Sequence, residues 1–350
     1  MVNFLKAAVF FGPKKVKVLD VEEPKIASDE VLIKTKAVGI CGTDLHFYLG
    51  KNGKFQDLLE RIKKLMFPSK TILGHEFSGF VIDKGKNVNN VELNEKVTAW
   101  PVIPCHECKY CKMGLMHLCE NIRPWPGAFS EFVKVPSENI VKIPTQLSYE
   151  EVAMLEPLAS AIHAVKLAKI EKESSIAILG AGTMGLLILQ VAKSLGVKEI
   201  LAVDILEFKL EMAKMLGADI AVHASEITRH KKGSLMNNVD VAFECVGGSA
   251  PTLHQALNLV DNHAKIIVVG SFAFPQCIDM LKFRQKELTM IGSQPQEKRD
   301  FIDGIDLLIN KKVKLKPLIT HKFPLEHAKK AFETALKSEQ TKSIKVEIIL

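Results

Sequence analysis

Residues 175–185 read SIAILGAGTMG, a run of apolar, β-favouring residues followed at once by a GxGxxG pattern and a helical sequence. Alone, GxGxxG is a weak signal, but between a strand and a helix it forms the turn whose backbone amides bind a pyrophosphate. The next predicted strand, residues 200–203, ends in Asp204, an acid placed to bind ribose hydroxyls. The segment therefore predicts a dinucleotide-binding unit. Its predicted cofactor-binding residues are Gly180, Gly182, Thr183, Met184, Gly185 and Asp204.

The sequence that follows keeps alternating between helix-like and strand-like segments. We predict helices over residues 209–216 and 253–260, and strands over residues 239–244, 265–269 and 288–292. Strands that alternate with helices form parallel sheets with helices on both faces. This part of the chain is therefore predicted to be an α/β doubly wound domain.

The first half of the chain differs, because it consists mostly of short β-rich segments separated by turns such as residues 12–13 and 84–87. This pattern predicts a barrel-like all-β unit. The length of 350 residues suits two domains that each bury a core. The last segment, residues 344–350, is strand-like and is predicted to return to the first domain.

Four of the seven cysteines crowd into one loop with the spacing Cys105-x2-Cys108-x2-Cys111-x7-Cys119. Four sulfurs this close can bind one tetrahedral ion and leave no coordination position for chemistry, which is typical of a structural zinc site. The alternatives are reduced thiols and an iron–sulfur cluster, but the bacterial ferredoxin spacing differs from this one.

A second set of metal-binding residue types is spread over three stretches. Residues 39–46 read GICGTDLH and supply the Cys41 thiolate, a GHE triplet supplies His75 and Glu76, and Glu156 follows an apolar run. One Cys, one His and one or two carboxylates suit a zinc ion that keeps a position open for substrate.

Two further residues of the same GICGTDLH stretch suggest proton transfer. A hydroxyl at Thr43 and an imidazole at His46 can pass a proton outward to solvent. The predicted catalytic residues are therefore Thr43, His46 and Glu156.

The composition disfavours several classes of protein. The net charge of +7 comes from lysines spread along the whole chain, and aromatic residues are only 7%, whereas nucleic-acid-binding proteins concentrate charge beside stacking platforms. No window reaches the ~20 continuous apolar residues of a membrane span. The first residues read as a strand pair rather than a signal peptide. We expect a cytoplasmic enzyme with neither a nucleic-acid nor a membrane partner.

Residues 51–70 interrupt the β-rich half with apolar residues at helical spacing and a basic opposite side. Such a helix can lie on a membrane surface or bind a partner. We predict instead that it packs on its own protein or on a sister subunit.

With these motifs in place, the chain resembles the zinc-dependent medium-chain alcohol dehydrogenases over essentially its whole length. The likeness is greatest to the polyol branch, which contains sorbitol, threonine and butanediol dehydrogenases. GICGTDLH, GHEFSG, the four-cysteine loop, LEPLASAIHAV and ILGAGTMG occur in the family's order. The resemblance implies a GroES-like β-barrel catalytic domain, residues 1–157 and 294–350, and a Rossmann NAD-binding domain, residues 158–293.

The resemblance also implies two zinc ions per chain and a homotetramer or homodimer. Cys41, His75 and Glu76 would lie at the catalytic zinc, and Glu156 would bind it directly or through water. The sequence leaves open which glutamate coordinates the ion. The four clustered cysteines would hold the structural zinc. Further cofactor contacts are predicted at Lys209, Val246, Val269, Gly270, Ser271 and Ser293.

The implied reaction is the reversible NAD-dependent oxidation of a secondary alcohol of a polyol or vicinal diol to a ketone. Its proton would leave through Thr43, the cofactor ribose and His46. Because Asp204 repels a 2′-phosphate and Ile205 and Leu206 follow it, NAD is predicted over NADP. The alternatives are a threonine or sugar-alcohol-phosphate dehydrogenase, a zinc-free reductase on the same fold, and a non-catalytic dinucleotide-binding regulatory protein.

Two positions depart from the sorbitol-type pattern. Phe47 stands where those enzymes carry a Tyr, and residues 292–295, GSQP, lack their Arg. Both positions line the substrate pocket in those relatives. The resemblance therefore implies a pocket that is more apolar at its outer end, and sorbitol is expected to be a poor substrate.

Overall fold

The computed structural model describes residues 4–50, 71–229, 236 and 239–350. The helix predicted over residues 51–70 lies outside the described residues. The chain forms two compact units. The first consists of Met1–Glu156, Glu297–Ile305 and Leu315–Leu350, and the second of Pro157–Gln296 and Asp306–Lys314.

The strands are numbered here in chain order. They are β1 (Phe4–Gly12), β2 (Lys15–Glu22), β3 (Glu30–Gly39), β4 (Thr71–Ile72), β5 (Glu76–Lys84), β6 (Lys96–Ala99), β7 (Phe132–Pro136), β8 (Ile140–Lys142), β9 (Ser175–Leu179), β10 (Glu199–Asp204), β11 (Ile220–His223), β12 (Val241–Glu244), β13 (Lys265–Val268), β14 (Thr289–Gly292), β15 (Ile319–Pro324) and β16 (Lys345–Ile349).

The α-helices are numbered in the same way. They are α1 (Gly42–Leu49), α2 (Lys109–Lys112), α3 (Tyr149–Ala153), α4 (Leu155–Ala168), α5 (Thr183–Ser194), α6 (Glu207–Leu216), α7 (Ala224–Arg229), α8 (Thr252–Leu259), α9 (Met280–Gln285), α10 (Lys298–Ile309), α11 (Ala328–Leu336) and α12 (Ser338–Thr341).

The first unit is built from two sheets. The larger has the order β15-β16-β3-β5-β6-β8, with β7 also paired to β3, and the smaller has the order β2-β1-β4. Strands β15 and β16 pair in parallel, whereas β3 is antiparallel to β16, β5 and β7. The side chains that face inward, among them Ile33, Phe77, Phe129 and Phe332, are fully buried. The last strand of the chain therefore belongs to the first unit.

The second unit contains a six-stranded sheet of order β11-β10-β9-β12-β13-β14. All of its pairs are parallel. Strand β9 is completely buried, as its uniformly apolar sequence SIAIL requires of a strand covered on both faces. The strand order reverses between β9 and β12, so the crevice at their carboxyl ends is where a ligand binds in such sheets.

Some short elements of the second unit were not predicted. Strand β11 lies at the sheet edge, all four of its residues are half-buried, and its sequence IAVH lacks a clear alternation. Helix α9 has six residues and no buried side chain, so it leaves no apolar stripe in the sequence. Among the residues that the structure describes, no helix combines the length and apolar character needed to cross a membrane.

Candidate active site

The four cysteines of the loop converge in the first unit. The sulfurs of Cys105 and Cys111 are 3.9 Å apart, those of Cys108 and Cys111 3.5 Å, and those of Cys108 and Cys119 3.9 Å. Four sulfurs around one tetrahedral zinc would be about 3.8 Å from one another, given Zn–S bonds of about 2.3 Å. The donor set therefore fits a closed zinc site.

Local structure brings these sulfurs together. Cys108 is the N-cap residue of α2, and Cys111 lies inside that helix one turn later. A turn at Gly114, whose φ is +79°, and the 3-10 helix Met116–Leu118 then return the chain to Cys119. Backbone donors from Glu107 and Cys108 lower the pKa of Cys105 to about 6. The thiolate, the form that binds metal, is therefore favoured at Cys105, whereas burial raises the pKa of Cys111 to about 12.

A second cluster in the first unit contains Cys41, His75 and Glu76, whose ligand atoms all lie within 4.8 Å of one another. Cys41 is the N-cap residue of α1, and Glu76 begins β5 directly after His75. The antiparallel pairing of β3 with β5 places Gly39 opposite Glu76, which brings the two stretches side by side.

Asp44 joins the same two stretches, although it was not among the predicted site residues. Its buried carboxylate accepts hydrogen bonds from the backbone N–H of Cys41, at 3.0 Å, and of Gly74, at 3.2 Å. Its Oδ1 also lies 3.9 Å from Nδ1 of His75. A signal was available, because Asp44 is the third residue of α1, where a carboxylate commonly caps the helix start.

Lys345 is a second residue at this cluster that was not among the predicted site residues. Its ammonium group lies 2.8 Å and 2.5 Å from the two oxygens of Glu76 and donates to the carbonyl of Ile40 at 3.2 Å. Burial alone would lower the pKa of Lys345, but the neighbouring charges of Glu76 and Cys41 raise it. Lys345 therefore stays charged and engages the whole carboxylate of Glu76.

Glu156 lies in the first turn of α4 and is buried. It is not part of the 4.8 Å cluster, but its charge contributes to the raised pKa values of His75 and Lys345. Thr43 is exposed and His46 is half-buried. The two residues are three positions apart on α1, so they lie on the same side of that helix.

The electrostatics of the cluster favour a cation. Burial lowers the pKa of His75, but the charges of Cys41 and Asp44 outweigh it, and the pKa ends well above its ordinary value. A site whose negative groups hold a proton this tightly also attracts a metal ion, which competes with that proton. One sulfur, one nitrogen and nearby carboxylates therefore fit zinc.

The predicted cofactor-binding residues lie at the carboxyl ends of strands in the second unit. Gly180 has a φ of +101°, and Gly182 is the N-cap residue of α5. A side chain at Gly185 would collide with the carbonyl oxygen of Gly180, so the turn requires a glycine there. Thr183 and Met184 open α5. The remaining predicted residues lie in α6 or follow β12, β13 and β14, and they are Lys209, Val246, Val269, Gly270, Ser271 and Ser293.

Asp204 ends β10, and its carboxylate organises the loop around it. Oδ2 accepts a hydrogen bond from the backbone N–H of Ala181 at 2.8 Å, and Oδ1 accepts from Ile205 at 2.8 Å and Leu206 at 3.1 Å. The side chain is 9% exposed. The acid is thus fixed at the crevice, beside the turn of the GxGxxG pattern.

Two family models match the chain. The alcohol dehydrogenase GroES-like domain matches residues 27–145, and the zinc-binding dehydrogenase model matches residues 183–310. D-xylulose reductase of Saccharomyces cerevisiae is 34% identical over 345 residues, which cover 94% of this chain and 93% of that protein. Sorbitol dehydrogenase of Bacillus subtilis is 33% identical, over 95% of this chain and 94% of that protein.

The chain belongs to the zinc-dependent medium-chain polyol dehydrogenase family. The solved structure of galactitol-1-phosphate dehydrogenase from Escherichia coli agrees with this, with a TM-score of 0.85, 28% identity and coverage of 99% of this chain and 100% of that one. The predicted fold class, a GroES-like β-barrel domain with a Rossmann domain, is confirmed. This polyol dehydrogenase family uses zinc and a nicotinamide dinucleotide, so the predictions of an enzyme and of its cofactors are also confirmed.

Proposed function

We propose that this dehydrogenase oxidises a secondary alcohol of a vicinal diol or polyol to a ketone, reversibly and with NAD. The observation that carries the proposal is the cluster of Cys41, His75 and Glu76 within 4.8 Å, which in the part of the chain that the structure describes contains a single sulfur. When bound there, zinc would act as a Lewis acid on the alcohol, and NAD would accept the hydride.

The roles of the cluster residues follow from their contacts. Cys41 and His75 supply the sulfur and nitrogen donors. Because Lys345 engages both oxygens of Glu76, we infer that Glu156 supplies the carboxylate. Glu76 would be the alternative donor only if Lys345 released it. The four cysteines Cys105, Cys108, Cys111 and Cys119 would hold a second, structural zinc.

The proton leaves through α1. The exposed hydroxyl of Thr43 can receive the proton of the alcohol, and the half-buried imidazole of His46, one turn later, can release it to solvent. Asp44, between them in sequence, accepts the amides of Cys41 and Gly74. Asp44 thereby fixes the start of the helix that carries both groups.

Asp204 supports the choice of NAD. Its carboxylate is held by the amides of Ala181, Ile205 and Leu206, so it cannot swing away from an approaching 2′-phosphate. A fixed negative charge disfavours a second one. We propose a preference for NAD over NADP of at least about tenfold in kcat/KM, or ~1.4 kcal/mol.

The substrate class rests on the relatives and on two positions of this chain. The relatives are named for a ketose, for sorbitol and for a hexitol phosphate, all of which carry hydroxyls on adjacent carbons. Phe47 and the segment GSQP at residues 292–295 supply neither a Tyr hydroxyl nor an Arg. A shorter or cyclic polyol, or a vicinal diol, therefore suits the chain better than sorbitol.

The test is a set of initial rates, followed by NADH absorbance, on ethanol, 2,3-butanediol, sorbitol, threonine, inositol and a hexitol phosphate. Repeating the best substrate with NADP tests the cofactor preference. We expect the highest rate on a diol or polyol other than sorbitol. Cys41→Ser should be inactive, whereas Cys277→Ser, which alters an exposed cysteine, should keep its activity. Activity on ethanol alone would refute the substrate class, and a fully active Cys41→Ser would refute the metal assignment.

We further propose a cytoplasmic homotetramer or homodimer, on the strength of the family resemblance. Light scattering of the purified protein distinguishes the two assemblies.

A further inference from the structure

Glu244 ends β12, and its side chain is fully buried. Its Oε1 accepts three hydrogen bonds, from the backbone N–H of Val246 and Gly247, both at 2.9 Å, and from the hydroxyl of Thr252 at 2.6 Å. Its Oε2 is buried without a hydrogen-bond partner. One oxygen of the carboxylate thus accepts three hydrogen bonds, and the other accepts none.

Burying this carboxylate costs more free energy than is needed to hold the loop in place. Burying a carboxylate whose oxygen lacks a donor is expensive, and Glu244 forms no ion pair with a described lysine, arginine or histidine. A neutral amide oxygen could accept the same three hydrogen bonds at a smaller desolvation cost. The retained negative charge therefore calls for a role beyond holding the loop.

The position of Glu244 indicates what that charge acts on. A Cβ atom at Gly270 would lie 2.5 Å from Oε2 of Glu244, so this oxygen lies directly against the loop that follows β13. A Cβ atom at Gly180 would lie 2.6 Å from the side chain of Val246. Glu244 therefore lies against the loop that follows β13, and the loop that its Oε1 holds contacts the first glycine of the GxGxxG pattern through Val246.

The sheet topology then relates Glu244 to one end of the cofactor. The two halves of such a sheet each bind one mononucleotide. Asp204 marks the half formed by β9, β10 and β11 as the adenosine side. The half formed by β12, β13 and β14 is consequently the nicotinamide side. The nicotinamide ring carries a positive charge when oxidised and none when reduced, and a buried charge nearby acts on it with little screening.

We propose that Glu244 is a positioning residue whose buried carboxylate makes the site prefer oxidised over reduced dinucleotide. This inference rests on the proposed function, because it requires a nicotinamide cofactor in the crevice. It assigns to Glu244 two separable tasks. Oε1 fixes the loop of Val246 and Gly247, and the net charge sets the balance between the two oxidation states.

The test compares dissociation constants, so it needs no turnover. NADH binding is measured by the fluorescence of the reduced ring, and NAD⁺ binding by competition with it, for the wild type and for Glu244→Gln. The glutamine keeps an oxygen for the three donors and removes the charge. We expect Glu244→Gln to weaken NAD⁺ binding about tenfold more than NADH binding, which is the effect of a unit charge about 12 Å from the ring at an effective dielectric constant of about 20.

Asp240→Asn is the matched control. Asp240 immediately precedes β12, at the opposite end of the same strand, and it too accepts a backbone hydrogen bond, from Ser175 at 2.8 Å. Its replacement should leave the ratio of the two dissociation constants unchanged. An equal loss of affinity for both oxidation states in Glu244→Gln, or an unchanged ratio, would overturn the proposal and leave Glu244 a structural residue.

Two further outcomes are decisive. A wild type that binds neither dinucleotide would refute the proposed function, and this inference with it. If Glu244→Gln does not fold, Thr252→Val is measured instead. This substitution removes one of the three hydrogen-bond donors to Oε1, so the negative charge of the carboxylate is less compensated by donors. The preference for NAD⁺ should then rise by about twofold, and an unchanged or smaller preference would overturn the proposal.

Discussion

Lys345 is 3% exposed, and it forms a buried ion pair with Glu76, which is 1% exposed. Removing two charges from water costs several kcal/mol per ion, and their attraction offsets this only when the geometry is good. Here the ammonium group reaches both carboxylate oxygens and a backbone carbonyl. Each member of the pair therefore stabilises the site mainly by compensating the charge of the other, because either charge buried without its partner would be strongly destabilising.

We expect Lys345→Met to lower the free energy of unfolding by ~3 kcal/mol, since it leaves the carboxylate of Glu76 buried and unpaired. Combining it with Glu76→Gln should restore most of the loss. Lys6→Met, which breaks an exposed pair with Glu326 at 3.5 Å, is the control and should have little effect. Urea unfolding of the wild type and these three variants measures this. A double variant as unstable as Lys345→Met would contradict the explanation.

Glu347 is a second buried carboxylate on β16, and neither of its oxygens has a hydrogen-bond partner. Burial raises its pKa to about 8, and the opposing charge of Lys345 only partly offsets this. The folded chain therefore keeps a proton that the unfolded chain, with a glutamate pKa near 4.5, releases. This contribution to stability is fully present below pH 4.5 and is lost as the pH rises through about 8.

Glu347→Gln should remove this pH dependence. Its stability relative to the wild type is expected to increase by on the order of 4 kcal/mol between about pH 5 and pH 8.5. The control is Glu95→Gln, because a lowered pKa places Glu95 outside this window, and its difference from the wild type should stay constant. Thermal unfolding at both pH values gives the answer. A constant difference for Glu347→Gln would contradict the raised pKa.

At the scale of structural elements, the four-cysteine loop depends on its sulfurs more than on a core. Its regular structure consists of the four-residue helix α2 and a three-residue 3-10 helix. Short elements of this kind bury too little apolar surface to be stable alone. Cys111 and Cys119 are buried, and the sulfur of Cys108 lies 3.5 Å from that of Cys111 and 3.9 Å from that of Cys119. A metal ion bound by these sulfurs would therefore take the place of a hydrophobic core.

Removing one sulfur should therefore unfold the loop without abolishing the fold of the unit. We expect metal analysis to find about two zinc ions per chain in the wild type and about one in Cys108→Ser. The variant should also be cleaved faster by protease within residues 105–119. Cys277→Ser serves as the matched cysteine control and should keep both ions. An unchanged zinc content in Cys108→Ser would refute the structural site.

At the scale of the whole molecule, the sequence predicts those features that are formed by residues close together in the chain. The turn at Gly180–Gly185 and the alternation after it were sufficient for the parallel sheet, because strand, turn and helix are adjacent there. The clustering of Cys105 with Cys119 could also be predicted, because the spacing itself limits the distance. The roles assigned to these residues, and the domain boundaries, remain predictions.

What the sequence did not reveal arises from contacts between distant segments. Lys345 and Glu76 are 269 residues apart, and only the pairing of β16 with β3, and of β3 with β5, brings them together. Lys345 was visible as one of two charged residues in an otherwise apolar final strand, but no local pattern identifies its partner. Asp44 is the opposite case, because its capping position is local and could have been recognised.

The carboxylate of Asp204 has a consequence for the evolution of this enzyme. The same two oxygens that would oppose a 2′-phosphate also accept hydrogen bonds from the amides of Ala181, Ile205 and Leu206. A lineage that exchanged this acid for a smaller neutral residue would leave those amides without an acceptor. A change of coenzyme is therefore not accessible by one substitution, and the ancestral preference should persist until neighbouring positions have already supplied new acceptors.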